Sequence, residues 1–94
     1  MTITVKFIGS LRGISGKDAI MLRFKGSISL RVLFNEVVEQ LPRLKSALID
    51  STSGEPRRNM LVLVNGREIG VLNGLETALI DSDEVVFVPV THGG

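Results

Sequence analysis

The residues with the clearest chemical potential are the last four of the sequence, Thr91, His92, Gly93 and Gly94. Glycine loses the most conformational entropy on ordering, so residues 91–94 are expected to form a flexible, solvent-exposed tail. Two residues without Cβ make an arm slender enough to enter another protein's nucleotide site and present its α-carboxylate to the α-phosphate of ATP. An adenylated carboxyl is an electrophile that a sulfur donor or an amine can attack. Many inert tails also end in Gly-Gly, so the rest of the chain must support this chemistry.

Most other catalytic chemistry is excluded by the residue types. The sequence has no Cys, and its one His is His92. It therefore has no thiolate metal site and no cysteine nucleophile, and one His cannot build a metal site alone. No pair of carboxylates, nucleophile with a base, or phosphate-binding glycine loop is present. We expect a chain that is not catalytic alone and binds no cofactor, with the ATP for activation held by a partner.

Composition indicates one small domain spanning residues 1–94. A hydrophobic content of 44% supplies a single core for 94 residues. The net charge is +1, and no run of like charge is longer than Arg57-Arg58, so neither a polyanion nor a membrane surface is implied as a partner. Four Phe without Trp or Tyr argue against binding of single-stranded nucleic acid. No signal peptide or spanning apolar run is visible, which predicts a cytoplasmic location.

The first part of the sequence predicts a hairpin. Residues 3–8 alternate apolar and polar side chains, as a half-buried strand does, with Ile8 as an apolar exception on the polar face. Residues 9–17 carry three Gly and two Ser, which predicts a loop. Residues 19–24 predict a second strand that returns beside the first.

One long helix is predicted after this hairpin. Ser29 is a good N-cap, and apolar residues follow at helical spacing as far as Leu41. Pro42 ends or kinks that helix. Residues 44–49 allow a short further turn of helix, and the polar stretch over residues 51–59 predicts a mobile loop.

The remaining sequence predicts further strands joined by turns. Asn65-Gly66 accepts positive φ at both central positions of a type I′ turn, so a strand over 60–64 would return as a brief strand over 67–71. After these we predict an irregular crossing over 72–80, a turn at 81–83 and a last strand over 84–90. Strands arranged around one long helix indicate the α+β class.

The last predicted strand is apolar on both faces. Val85 and Phe87 share one face, and Val86, Val88 and Val90 share the other. A single helix can cover one face of a small sheet, so something else must cover the second. If the first and last strands pair, Ile8 joins Val86 and Val88 in an exposed apolar patch of the kind that marks a protein interface. The alternative is that loops cover these side chains.

Three motifs with characteristic separations carry a family resemblance: Val-Asn-Gly at 64–66, Asp-Ser-Asp-Glu-Val at 81–85 and the terminal Gly-Gly. With the strand at 5–8, the helix at 30–41 and Pro89, they make the sequence resemble the ubiquitin-like sulfur carriers. This family includes MoaD, the small subunit of molybdopterin synthase, the thiamine sulfur carrier ThiS and the ubiquitin-related modifiers. The resemblance covers nearly the whole chain. It implies an α+β, β-grasp fold with a mixed sheet of four to five strands packed on one main helix.

The resemblance also implies roles for the end of the chain. Gly94 would carry the acyl-adenylate and then the thiocarboxylate, while Gly93 threads the partner's active site. The implied partners are an adenylating enzyme of the MoeB or ThiF type, a sulfurtransferase and the MoaE-like large subunit of molybdopterin synthase. The residues implied in partner binding are Ile8, Val86, Val88, Pro89, Thr91 and His92.

Three departures from the molybdopterin branch leave the destination of the sulfur open. Val88 precedes Pro89 where that branch usually has Phe, the turn reads Asp-Ser-Asp rather than Asp-Gly-Asp, and the His-Gly-Gly end is closer to the ubiquitin-related modifiers. The first interpretation is a sulfur-donating subunit of molybdopterin synthase in molybdenum cofactor biosynthesis. The alternatives are a tRNA-thiolation carrier or protein modifier that forms isopeptide conjugates through Gly94, and a binding module whose tail is inert.

Overall fold

The computed structural model describes residues 1–90. Its strands are β1 (Thr2–Phe7), β2 (Ala19–Arg23), β3 (Ile28–Ser29), β4 (Met60–Val64), β5 (Arg67–Glu68), β6 (Ala78–Leu79) and β7 (Glu84–Pro89). Its α-helices are α1 (Ser10–Ser15), α2 (Leu30–Gln40) and α3 (Lys45–Leu48). Short 3₁₀ turns cover Pro42–Leu44, Ile69–Val71 and Gly74–Glu76. This element order confirms the predicted α+β class.

Five strands form one mixed sheet in the order β2-β1-β7-β4-β5. β1 and β7 run parallel, with Val5 beside Val85, and the other neighbours in this sheet are antiparallel. β3 and β6 form a separate two-stranded ladder. The predicted hairpin of the first two strands and the predicted pairing of the first and last strands are both confirmed. As a result, β7 lies in the middle of the sheet.

Helix α2 covers one face of this sheet. The Ser29 hydroxyl accepts a hydrogen bond from the Val32 amide at 3.3 Å, which confirms the predicted N-cap. The Phe34 ring meets the Phe87 ring edge-on, with 5.1 Å between their centroids. The buried side chains of the helix recur at amphipathic spacing and are Leu30, Leu33, Phe34 and Val37. No helix within residues 1–90 is long and apolar enough to cross a membrane.

The turn after β4 is bonded to the turn before β7. Asn65 and Gly66 have φ values of 51° and 82°, which confirms positive φ at both central positions. Asn65 Nδ2 donates to Asp83 Oδ1 at 2.8 Å, and Asn65 Oδ1 accepts from the Glu84 amide at 2.9 Å. The Ile80 amide donates to Asp83 Oδ2 at 2.8 Å. Each oxygen of the buried Asp83 carboxylate therefore has a donor.

Several local predictions were wrong. Residues 10–15 form α1 rather than a loop, because Leu11 is buried in the core and Gly16, at φ 72°, ends the helix in the left-handed conformation. β5 has two residues rather than the five predicted over 67–71, because the chain turns into a 3₁₀ segment at Ile69. Within the predicted irregular crossing over 72–80, two residues form β6 and pair with β3.

The segment over residues 51–59 forms no helix or strand, as predicted, but part of it is held by local hydrogen bonds. Asp50 Oδ1 accepts from the Thr52 amide at 2.8 Å and from the Ser53 amide at 3.3 Å. These two bonds stabilise the ionised carboxylate and so lower the pKa of Asp50. The segment therefore begins with a defined turn.

Candidate functional site

The two faces of β7 carry different kinds of surface. Val85 and Phe87 lie on the inner face, toward α2, and are fully buried at 0% exposure. Val86 and Val88 alternate with them on the outer face and are half-buried. The alternation predicted for this strand is confirmed over Val85–Val88, while the strand itself ends at Pro89, one residue before the predicted Val90. Because β7 lies between β1 and β4, its outer residues belong to the middle of the sheet.

Apolar side chains from three neighbouring segments meet on this outer face. We call them the outer-face patch, and they are Ile8, Leu61, Leu63, Val86 and Val88. Across β4, Leu61 pairs with Val88 and Leu63 with Val86. On the other side, the Ile8 amide donates to the Phe87 carbonyl at 3.1 Å, which places Ile8 beside Val88. Ile8 is 42% exposed and the other four are half-buried, so the patch is accessible to a partner.

Leu61 and Leu63 are the members of the outer-face patch that sequence reasoning missed. Residues 60–64 form a continuous apolar run, which by itself does not show which side chains face the core. Val62 and Val64 are the buried ones. Since successive side chains of a strand point to opposite faces, assigning these two to the core would have predicted Leu61 and Leu63 on the outer face.

One end of the outer-face patch has a charged boundary. Lys6 Nζ lies 2.9 Å from Glu84 Oε2, and the two side chains are 47% and 41% exposed. Lys6 is beside Val86 in the ladder between β1 and β7, whereas Glu84 is beside Thr4. The ion pair therefore lies at the end of the patch that is remote from Val88. An exposed pair adds little stability, but its charges can orient a partner during association.

The chain reaches the carboxyl end of β7 next to the same patch. Pro89 pairs with Met60 and lies close to Gly9, so the structure places it beside the patch rather than among its outer-face side chains. The Val90 amide donates to the Asn59 carbonyl at 2.7 Å, which fixes the last described residue against the sheet. Four of the predicted site residues lie outside the described residues, namely Thr91, His92, Gly93 and Gly94.

Away from the patch, Arg31 forms charged contacts that hold parts of the fold together. Residues 1–90 contain no group of three or more His, Cys, Asp or Glu that could hold a metal ion. Arg31 on α2 bonds Glu76 at 3.0 Å and lies 3.5 Å from Glu55. The hydrogen bond to Glu76 and the charge of Glu55 raise the pKa of Arg31. These contacts tie α2 to two surface segments, and α2 lies across the sheet from the outer-face patch.

Comparisons with known proteins agree with this arrangement. The family model described as ThiS family matches residues 5–94. Small archaeal modifier protein 3 of Haloferax volcanii is 30% identical over 94 residues, and ubiquitin-related modifier 1 of Schizosaccharomyces pombe is 30% identical over 97 residues; each match covers all of both chains. The crystal structure of SAMP1 from Haloferax volcanii has a TM-score of 0.88 over all of both chains, at 22% identity.

The predicted β-grasp, ubiquitin-like fold is thereby confirmed. The family match extends from β1 to the last residue, so it includes the outer-face patch and the terminal Gly-Gly. The chain belongs to the ThiS family, the ubiquitin-like small sulfur carriers and modifiers of the ThiS and MoaD type.

Proposed function

We propose that this protein is activated at the carboxyl group of Gly94 by a partner enzyme and then carries sulfur as a thiocarboxylate. A carboxylate oxygen of Gly94 attacks the α-phosphate of ATP in an adenylating enzyme of the MoeB or ThiF type, and pyrophosphate leaves. The outer sulfur of a persulfide on a sulfurtransferase then attacks the carbonyl carbon, and AMP leaves. A thiol then attacks the inner sulfur of the resulting acyl disulfide, which releases the thiocarboxylate of Gly94 and leaves a disulfide between that thiol and the sulfurtransferase cysteine. Gly93 and Gly94 allow this approach because neither has a side chain to obstruct it.

The observation that supports this proposal most directly is the position of the outer-face patch at the carboxyl end of β7. Val88 belongs to the patch, and Val90, two residues later, is bonded to Asn59. A partner that covers the patch therefore binds within two residues of Val90, the last described residue. The patch lies on a packed sheet, so few groups must be ordered when a partner binds, which reduces the entropic cost of association.

We propose that the activated Gly94 either transfers its acyl group to a lysine amine or transfers sulfur to a tRNA base. Two relatives that are 30% identical over their full length carry the name modifier, and His92-Gly93-Gly94 resembles the end of the ubiquitin-related modifiers. Attack of a lysine amine on the activated Gly94 carbonyl forms an isopeptide bond and releases the activating group. The same thiocarboxylate can instead transfer its sulfur to an activated tRNA base.

A second candidate is the small subunit of molybdopterin synthase, which acts with a MoaE-like large subunit and a pterin precursor as sulfur acceptor. The favouring observation is that Ile8 and Val88 are neighbours on the accessible outer face. The family resemblance predicts exposed apolar residues at these two positions in that branch. In this role the outer-face patch docks on the large subunit, and Gly94 delivers sulfur inside its active site. Both roles place the protein in the cytoplasm.

Intact mass spectrometry of the full chain, purified from its native host, tests the carrier chemistry. A mass increase of one oxygen-to-sulfur exchange, absent after deletion of Gly93 and Gly94, supports it. Lysine-linked adducts with a Gly-Gly remnant support the modifier role, and a thiocarboxylate with a co-purifying large subunit supports the synthase role. A free carboxylate in every preparation, with normal function after deletion of both glycines, contradicts the proposal and supports an inert tail.

A further inference from the structure

The five-stranded sheet has an open edge at β2. β1 is the neighbour of β2 on one side, and no strand within residues 1–90 lies on its other side. The Phe7 amide donates to the Asp18 carbonyl, and the Phe24 amide donates to the Met1 carbonyl, both at 2.9 Å. In an antiparallel pair every second residue of a strand bonds to its neighbour, so these two bonds show which residues of β2 bond to β1. The backbone groups that point away from β1 are consequently those of Ala19, Met21 and Arg23.

The centre of this edge is apolar and unprotected. Met21 is 69% exposed on the outer face, and Ile20 is half-buried on the inner face. Natural sheets protect free edges with very short strands, charged side chains such as lysine, proline, bulges or a covering segment. β2 contains no proline or bulge, and its one charged residue is Arg23 at its end. Such an edge can accept an added strand, with the backbone supplying affinity and alternate side chains supplying specificity.

Charge distinguishes the two ends of this edge from its centre. Lys17 precedes β2, Arg23 ends it and Lys25 follows it, and all three are exposed. None of them forms an ion pair in the part of the chain that the structure describes. The neighbouring acid, Asp18, is already paired with Arg12 at 2.8 Å. The β2 edge is therefore basic at both ends and apolar in the middle.

We propose that the β2 edge binds an extended peptide segment of a partner protein, apolar at its centre and acidic at both ends, as an added strand. Such a segment bonds the free backbone groups of Ala19, Met21 and Arg23 and places its carboxylates near the three cations. A second copy fits less well, because an antiparallel pair of β2 strands centred on Met21 brings Lys17 opposite Lys25 of the other copy.

This site is separate from the outer-face patch. β1 lies between β2 and β7, so a strand added to β2 leaves Val86 and Val88 accessible. The proposal goes beyond the proposed function and does not depend on activation of Gly94. A carrier can therefore hold an acidic segment at one edge of its sheet while a second protein covers the outer face.

An NMR titration of the full chain with the synthetic peptide Asp-Glu-Ile-Val-Ile-Val-Glu-Asp tests the proposal. We expect shift changes centred on the amides of Ala19, Met21 and Arg23, and slower hydrogen exchange at Met21. A peptide with Lys in place of each acidic residue should bind about tenfold more weakly or worse. Shift changes centred on Leu61 and Val88 would overturn the assignment, as would concentration-dependent shifts of β2 without peptide, which indicate a second copy.

A matched pair of variants separates the contribution of the Met21 backbone amide to peptide binding from that of the Met21 side chain. Met21→Pro removes an amide that points away from β1, so the ladder with β1 persists while peptide binding is lost. Met21→Ala shortens the same side chain but keeps the amide, so it retains binding. The double variant Lys17→Glu with Lys25→Glu, which does not affect the ladder, should reverse the preference between the two peptides. Equal binding by Met21→Pro and Met21→Ala, or an unchanged preference in the charge variant, would refute the added strand.

Discussion

The inner and outer faces of β7 differ in burial, although their residues alternate along one strand in the middle of the sheet. Val85 and Phe87 are fully buried against α2, whereas Val86 and Val88, the residues between and after them, remain half-exposed beside Leu61 and Leu63. The residue types are nearly the same on both faces. Because the inner face packs against α2, its side chains contribute to the free energy of unfolding. The outer face is not covered by a helix, so its side chains are available to contribute to the free energy of binding. Alternation along one strand thus separates the residues that stabilise the fold from those of the proposed docking surface.

The largest expected effect is on the inner face. Phe87→Ala should lower the free energy of unfolding by about 3–5 kcal/mol, because it opens a cavity where the ring contacts Phe7 and Phe34. Urea denaturation followed by circular dichroism measures this change. Molecules that remain folded should keep their affinity for the adenylating enzyme. A stability loss below about 1 kcal/mol would show that this face does not hold the fold together.

On the outer face, the expected effect is on binding. Val88→Asp should weaken docking to the adenylating enzyme or to a synthase large subunit by about 2 kcal/mol or more, because it buries an unpaired charge in the interface. Calorimetric titration measures the affinity. Val32→Asp is the matched control, since Val32 is 46% exposed on α2, on the far side of the sheet. Equal affinity for Val88→Asp and the native chain would remove the outer-face patch from the docking surface.

A third substitution tests whether stability can be lowered without touching either face of β7. Asn65→Ala should cost about 1–3 kcal/mol of unfolding free energy, because it leaves Asp83 without one donor and the Glu84 amide without its acceptor. Thermal unfolding measures the loss, with Asn73→Ala as the control. Partner affinity at a temperature where the variant is folded should not change. A matching loss of affinity would mean that the turn and the patch are coupled.

The smallest effect concerns pH. Amide hydrogen bonds from Thr52 and Ser53 lower the pKa of Asp50 in the folded chain. Its contribution to stability is therefore complete above the ordinary carboxyl value of about 4 and is lost as the pH falls through the lower folded value. The amide shifts of Thr52 and Ser53, followed by NMR, should titrate with a midpoint below about 4. Asp50→Asn should abolish this transition, and a midpoint at or above the ordinary value would contradict the turn.

The elements predicted correctly are those in which the spacing of apolar residues repeats several times along the sequence. α2 shows its apolar spacing over three turns with Ser29 as a cap, and β7 alternates over its whole length. Short elements lack such repetition. α1 has six residues with three of them Gly or Ser beside the buried Leu11, and β3 and β6 have two residues each, so tertiary contacts decide their structure.

The candidate site was predictable to a different degree in its two parts. The proposed reactive end was suggested by the terminal Gly-Gly, but many inert tails end in the same way, so the suggestion depended on the family resemblance of the rest of the chain. The proposed docking surface depends on the register between neighbouring strands, which the sequence alone does not show. Val88 could be placed on the outer face from alternation within its own strand. Leu61 and Leu63 could not, because an unbroken apolar run has two equivalent assignments until its neighbour is known.

The central position of β7 has a consequence for synthesis on the ribosome. β7 joins the β1–β2 hairpin to the β4–β5 hairpin, yet it is the last strand to be translated among the described residues. A nascent chain that stops before Glu84 retains two separate hairpins, each of which is marginal in water. It also lacks Val86 and Val88 of the outer-face patch. A partner that recognises this patch therefore discriminates against unfinished translation products before it meets the carboxyl end.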